Sequence, residues 1–349
     1  MTGRDVMTPV ELLHAQKLAT RPVISLSEGS DPRIIAGALA ANDAGLVDVI
    51  LVGDESEIRA GFAAQNQELR PGVEIHDPKT STLTDSFTSR YHAMRKHKGM
   101  DIPKARFACE TPLVYAAMLV REGHADGTLG GAVHTTSDVV RAAIQVIGVA
   151  PDAAMISSFF LMFPPELATP HGRAMLYSDG GLVIDPSSEE LVSIAQQSAA
   201  SARALLQVEP KIAMLSFSTK GSARHASVSK VSVATDLLRT ARPDLQVDGE
   251  LQFDTAFVPD IATRKAPESD VAGHANVMIF PNLDAGNIAY KITQRLGGYA
   301  AIGPILQGVA KPANDLSRGC SAQDVTEMIA VTALQGMQKN ERHANTDLE

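Results

Sequence analysis

Pro22-Val23-Ile24-Ser25-Leu26 and Asp48-Val49-Ile50-Leu51-Val52-Gly53-Asp54 decide the fold. Each is a short apolar run, too brief for a helix and dense in β-branched residues, so each reads as a strand. Between them Asp31-Pro32 has the form of a helix start, and Gly45 follows Ala44 as a stop. Strand, helix and strand in this spacing predict a βαβ unit, and with it an α/β fold with mainly parallel sheets.

The pattern continues outward from that unit. Helices are expected over Ser86–Lys98, from Thr111-Pro112 to about Glu122, from Ser187 to Leu206 behind a capping box with Glu190, and from Val228 to Ala241. Strands are expected at Gly127–Leu129, Ala154–Met162, Arg173–Tyr177, Lys211–Leu215, Leu245–Val247 and Ala275–Phe280. Pro164-Pro165 interrupts the chain beyond a crossover near residue 150. Two α/β domains are predicted, one of residues 1–150 plus 303–349 and one of residues 151–302. A last helix is expected over Ala322–Gln338.

Composition narrows the function. The chain has 349 residues, a formal net charge of −9 and 4% aromatic residues without Trp. Nucleic-acid and anionic-membrane binding are disfavoured, because the sign of the charge is wrong and stacking platforms are few. Two cysteines, Cys109 and Cys320, cannot form a secreted disulfide framework, although one bridge is possible. No apolar run reaches the roughly 18 residues of a membrane span, so a cytoplasmic location is expected.

Four stretches carry chemistry. Arg95-Lys96-His97-Lys98-Gly99 ends a helix in cations, a dipole complement or an anion site. Gly130-Gly131-Ala132-Val133-His134-Thr135-Thr136-Ser137 joins a strand to a helix carrying Arg141 and reads as an anion cradle. It fits neither the dinucleotide nor the Walker spacing. His134 is either an acid or ligand, or a satisfied structural histidine. Ser216-Phe217-Ser218-Thr219-Lys220-Gly221-Ser222 follows a strand, where open α/β sheets bind ligands, and is otherwise a polar turn.

The fourth stretch, Lys311 to Asp324, runs from a loop into the last helix. Within eight residues it holds Ser317, Arg318, Gly319, Cys320 and Asp324. Arg318 suits a phosphate or a developing oxyanion. Ser321 and Asp324 also spell a capping box, so Asp324 is either a helix start or a working carboxylate. No metal-ligand spacing is present, and Asp248-Gly-Glu-Leu-Gln-Phe-Asp254 forms no cage by spacing.

Taken together, these motifs resemble the phosphate acetyl/butyryl transferase family. They extend to Asp248–Asp254, Lys265-Ala266-Pro267, Asn287–Gly298 and Gly303-Pro304-Ile305-Leu306-Gln307-Gly308. The likeness runs in one register from about Pro22 to Leu334 and matches the short form of the family. It implies reversible acetyl transfer between coenzyme A and phosphate, with coenzyme A as substrate and no tightly bound cofactor. It also implies a dimer of two-domain chains, of isocitrate/isopropylmalate dehydrogenase-like build, with the active-site cleft between the domains. By motif match Ser317, Arg318 and Asp324 are implied as catalytic, with Asp324 as base. Arg95, Arg141, Thr136, Ser137, Lys220 and Cys320 are implied to bind substrate. The rival readings are a butyryl-specific enzyme, a non-catalytic acetyl-CoA sensor like the domains fused to malic enzymes, and a hydroxyacid dehydrogenase. The last lacks a dinucleotide fingerprint.

Overall fold

The computed structural model describes residues 6–16, 18, 20–165 and 172–346. Four strands precede residue 150: β1 (Val23–Leu26), β2 (Asp48–Val52), β3 (Val73–His76) and β4 (Gly127–Gly130). Six follow it: β5 (Ser157–Phe163), β6 (Met175–Ser178), β7 (Lys211–Leu215), β8 (Gln246–Leu251), β9 (Val277–Ile279) and β10 (Ala300–Gln307). The last, β11 (Ala313–Asp315), stands just before the C-terminal helix Ala322–Thr346. The chain divides into two compact units, Pro9–Ala150 with Val309–Glu349, and Pro151–Gly308 with the residues before Pro9.

The first unit holds a five-stranded sheet in the order β11-β4-β1-β2-β3. Every pairing is parallel, with Ile24 opposite Val49 and Gly127, and Leu129 opposite Asn314. A parallel sheet is covered on both faces, which is why its strands are apolar without alternation. The helix Pro32–Asp43 packs against the C-terminal helix. A Cβ at Gly37 would stand 2.6 Å from Val325 Cβ, so the absent side chain permits this crossing. Asp31 caps Pro32–Asp43 as expected, accepting from Arg33 N.

The second unit holds a six-stranded sheet in the order β10-β5-β6-β9-β7-β8. Strands β6, β9, β7 and β8 run parallel, and β5 is antiparallel to both its neighbours. Phe160, Met162, Tyr177, Met278 and Phe280 fill the core on one side. The helix Ser188–Leu205 begins with the expected box, Ser187 and Glu190 each receiving the other's backbone N–H. The chain leaves this unit after Gly308, because β10 stays paired to β5 through Gln307.

The structure differs from the sequence reading at several points. Ala313-Asn314-Asp315, read as loop, is a fully buried strand. Asn and Asp are poor strand formers, but here the partners are tertiary. Asn314 Nδ2 donates to Thr332 Oγ1 (2.9 Å) and Gln335 Oε1 (2.8 Å) on the C-terminal helix. That helix continues past Gln338 to Thr346. The basic run after Arg95 is not α-helical; Lys96–Lys98 tighten into a 3-10 turn closed by Gly99 at φ 77°. Both cysteines are free and buried, and burial pushes the Cys109 thiol up to about 11.

Candidate active site

Because β11, β4 and β1 are adjacent and parallel, the loops that follow them emerge side by side at the carboxyl edge of the sheet, where open α/β sheets bind ligands. These loops are Ser27–Asp31, Gly131–Thr135 and Leu316–Ser321. The second and third touch where they begin: Leu316 N donates to Gly130 O, the end of β4, at 2.6 Å, and a Cβ at Gly131 would lie 2.6 Å from Leu316 O. Gly131 has φ 108°, and a Cβ there would lie 2.2 Å from Asp315 Oδ1, so only glycine fits.

The glycine-rich cradle already holds an anion from the chain itself. Glu28, buried on the first loop, accepts from Ala132 N (2.7 Å), Val133 N (3.0 Å) and His134 N (2.7 Å). His134 Nδ1 lies 2.8 Å from the same carboxylate. The expectation of a cradle open to a ligand is therefore corrected: these N–H groups are satisfied internally. Its ready-made geometry for negative charge is real, but the occupant is a side chain 104 residues away.

Arg33 joins the three loops. Its guanidinium donates to Arg318 O (2.7 Å), Cys320 O (3.3 Å) and Ala132 O (2.8 Å), and pairs with Asp31 (2.8 Å). Neither Glu28 nor Arg33 was marked by the sequence. The available signal was two charged residues flanking a helix cap at the end of the first strand, but their partners are distant in the chain.

On the third loop Ser317 and Arg318 are exposed and Cys320 is buried. Ser317 Oγ accepts from Gly319 N (3.2 Å), and Ser317 O from Cys320 N (2.9 Å). Among the described residues the Arg318 guanidinium has no hydrogen-bond or ion-pair partner. Burial pushes the Cys320 thiol up, so its thiolate is scarce at neutral pH and a covalent acyl-thiol step at this residue is disfavoured. Asp324 is exposed and does form the capping box: Oδ2 accepts from Ser321 N (2.8 Å) and Ser321 Oγ (2.9 Å), while Asp324 N donates to Ser321 Oγ (3.2 Å). All of these contacts by the carboxylate use Oδ2.

The helix Thr136–Ala142 follows the second loop, capped by Thr135, which accepts from Asp138 N. Ser137 is exposed at its start, and Arg141 pairs with Asp138 at 2.9 Å on the surface. Thr136 Oγ1 donates to Asp315 Oδ2 at 2.6 Å, which connects this helix to the end of β11. The other oxygen of Asp315 is buried and accepts no hydrogen bond. Burial, reinforced by nearby Glu28 and opposed by the Thr136 hydroxyl, pushes the Asp315 carboxyl up to about 7.

The structure thus brings Thr136, Ser317, Arg318, Cys320 and Asp324 onto two touching loops and the helices they start. Arg95 stands apart from these contacts, at the end of the helix Thr84–Arg95 in the same unit. Its guanidinium carbon lies 5.8 Å from the centre of the Tyr91 ring, and its Nε is buried without a partner. Lys220 belongs to the other unit. Its ammonium pairs with Asp248 and donates to Gly249 O at 3.3 Å. Among the described residues no three His, Cys, Asp or Glu side chains are grouped as a metal site. No helix among them is long and apolar enough to cross a membrane.

Comparison with known proteins adds independent findings. A family described as phosphate acetyl/butaryl transferase matches residues 9–333. A phosphate acetyltransferase of Thermoanaerobacterium thermosaccharolyticum is 44% identical over 329 residues, 94% of this chain and 99% of that protein. A phosphate acetyltransferase of Paracoccus denitrificans is 46% identical over 329 residues, with the same coverage of both chains. Among solved structures, a phosphotransacetylase from Streptococcus pyogenes has a TM-score of 0.87 and 39% identity, covering 97% of this chain and 100% of that one.

Proposed function

We infer the chemistry from the premise that this chain belongs to the phosphate acetyl/butaryl transferase family. It is a phosphate acetyltransferase: acetyl-CoA and phosphate are interconverted with acetyl phosphate and coenzyme A. The observation that carries the mechanism is the loop after β11, which displays a hydroxyl, an unpartnered guanidinium and a carboxylate within eight residues.

In this reading the thiol of coenzyme A attacks the acetyl carbonyl directly. Asp324 takes the thiol proton, using the carboxylate oxygen that the helix cap leaves free. Arg318, with Ser317 beside it, stabilises the negative charge that develops on the carbonyl and phosphate oxygens. Arg33, by holding the carbonyl groups of Arg318 and Cys320, sets that loop for the task. Thr136, Ser137 and Arg141 at the neighbouring helix, Cys320 on the loop and Arg95 with its unpartnered Nε supply further contacts to the anionic substrates. The scheme runs on the chain's own groups and the substrate thiol.

A homodimer is supported by the helix Leu283–Arg295, where Ile288 and Ile292, with Leu296 just past its end, lie one turn apart and are exposed, Leu296 to 85%. A cytoplasmic location fits the chemistry of the substrates.

The test is thiol release from acetyl-CoA with and without phosphate, repeated with propionyl-CoA and butyryl-CoA. Phosphate-dependent release, fastest with acetyl-CoA, is expected. Fastest release from butyryl-CoA assigns the chain to a butyryl activity instead. Binding of acetyl-CoA with no release at saturating phosphate contradicts the enzymatic reading and leaves a sensor.

A further inference from the structure

The direct mechanism supplies a base for sulfur and leaves one proton unassigned. When coenzyme A attacks acetyl phosphate, a carbon–sulfur bond forms and the bond from the carbonyl carbon to the phosphate oxygen breaks. The thiol proton goes to Asp324. The phosphate oxygen, departing from a dianionic ester, would leave as a trianion unless a proton reaches it in the transition state. Arg318 can offset charge, but a guanidinium does not give up a proton at neutral pH. An acid beside the loop after β11 would supply that proton while Asp324 is still taking the one from sulfur.

Most titratable groups on the three loops are engaged elsewhere. Asp31 is paired with Arg33. Asp138 is paired with Arg141. Asp315 is fully buried under Thr136 and Gly131. Cys320 is buried. His134 is different. Its ring is 39% exposed, and one nitrogen is fixed on Glu28, whose side chain is only 3% exposed. Glu28 accepts three backbone N–H bonds, so it is an acceptor, and His134 Nδ1 carries the proton of their 2.8 Å contact. That leaves Nε2 as the free nitrogen. A buried carboxylate fixing one nitrogen sets the tautomer and the orientation of an imidazole. Arg33 holds Ala132 O and Arg318 O in one guanidinium fork, so the backbone two residues before His134 is anchored beside Arg318.

We propose that His134, oriented by Glu28, is the acid that protonates the phosphate oxygen leaving acetyl phosphate, and the base that removes that proton when phosphate attacks acetyl-CoA. The proposal rests on the acetyl-transfer reading above and assigns a further catalytic residue to it, with Glu28 as its positioning residue. The protons balance. Imidazolium Nε2 gives one to phosphate, Asp324 gains one from sulfur, and exchange with solvent resets both. Net, the thiol proton ends on inorganic phosphate. Imidazole is suited to this role because one nitrogen can stay on Glu28 while the other passes a proton. The charged group in contact with it is Glu28 on the first loop; Arg33, paired with Asp31, touches the same loop at Ala132 O, and Asp315 ends β11.

The experiment compares the full-length wild type with His134→Gln and Glu28→Gln in both reaction directions across pH, with melting curves for each. His134→Gln should lower kcat about 100-fold or more in both directions, leave KM for coenzyme A near its wild-type value, and remove one limb of the pH profile. Glu28→Gln should show a smaller fall and a displaced limb. Should His134→Gln not fold, His134→Asn is read the same way. A variant within a few-fold of wild type, a loss confined to KM, or a profile retaining both limbs overturns the dyad. A wild type without phosphate-dependent thiol release overturns the acetyl-transfer reading as well, so the two failures are distinct.

Discussion

Asp248 and Asp315 are both buried aspartates on strands, one in each unit, and their surroundings drive them in opposite directions. Burial raises both. At Asp248 the Lys220 ammonium, the Ser269 hydroxyl and the Gly249 N–H outweigh it, and the carboxyl falls below its ordinary range. Arg239 adds a second cation to the same oxygen. At Asp315 the Thr136 hydroxyl and the Leu316 N–H oppose burial without a cation to help them, Glu28 adds to it, and the carboxyl rises to about 7. The region around Asp248 has its charges matched. Among the described residues, the region around Asp315 leaves Arg318 with no hydrogen-bond or ion-pair partner and Asp315 with no cation. Charges left unmatched next to a loop are available to a substrate; matched ones hold the fold.

The largest expected effect is at Arg318. Arg318→Gln should lower kcat about 100- to 1000-fold, because it removes a donor aimed at developing charge. Its melting temperature should stay near that of the wild type, since the guanidinium is exposed and has no partner among the described residues. A variant with normal turnover would erase the contrast between the two regions.

Asp324→Asn sharpens the comparison from another side. The asparagine side chain can keep a capping contact through its oxygen, while the basic carboxylate is lost. Turnover should fall about 100-fold, with a stability change below about 1 kcal/mol. If melting drops and turnover holds, the carboxylate is only a cap.

The Asp315 prediction concerns stability. Its folded value, about 7, lies above its ordinary 3.8, so the folded state holds a proton the unfolded chain has released. That contribution is complete below pH 3.8 and is lost as pH rises to 7, at a slope approaching about 1.4 kcal/mol per pH unit. Asp315→Asn should remove the slope, so that its unfolding free energy, measured with urea, gains on wild type from pH 4 to 7 and then runs parallel. Parallel curves throughout would place Asp315 in a better-solvated site than the structure shows.

How far these regions were legible follows from the range of their interactions. The βαβ pattern, the box at Ser187 and the capping residues around Ser321 depend on neighbours within four positions, and the sequence exposes them. Ser317, Arg318 and Asp324 stood out because several reactive side chains fall within eight residues. Strand β11 was hidden, since Asn314 and Asp315 lack strand propensity and are held by Thr332, Gln335 and Thr136. Glu28 and Arg33 were hidden for the same reason, since the partners that tie them to the other two loops lie 99 or more residues away. The cradle at Gly130–Thr136 was legible as a shape for an anion, but nothing local shows that Glu28 fills it.

The smallest expected effect is at Arg239, the matched counterpart of Arg318. Arg239→Gln should lower stability by about 1 kcal/mol or less, since its side chain is 45% exposed, and should leave the reaction near its wild-type rate.

Phosphate-dependent thiol release from acetyl-CoA, measured side by side for Arg318→Gln and Arg239→Gln, is the most direct test. The account predicts that the first chain folds and scarcely turns over while the second turns over nearly normally. Equal rates in the two variants, or a loss confined to Arg239→Gln, would contradict it.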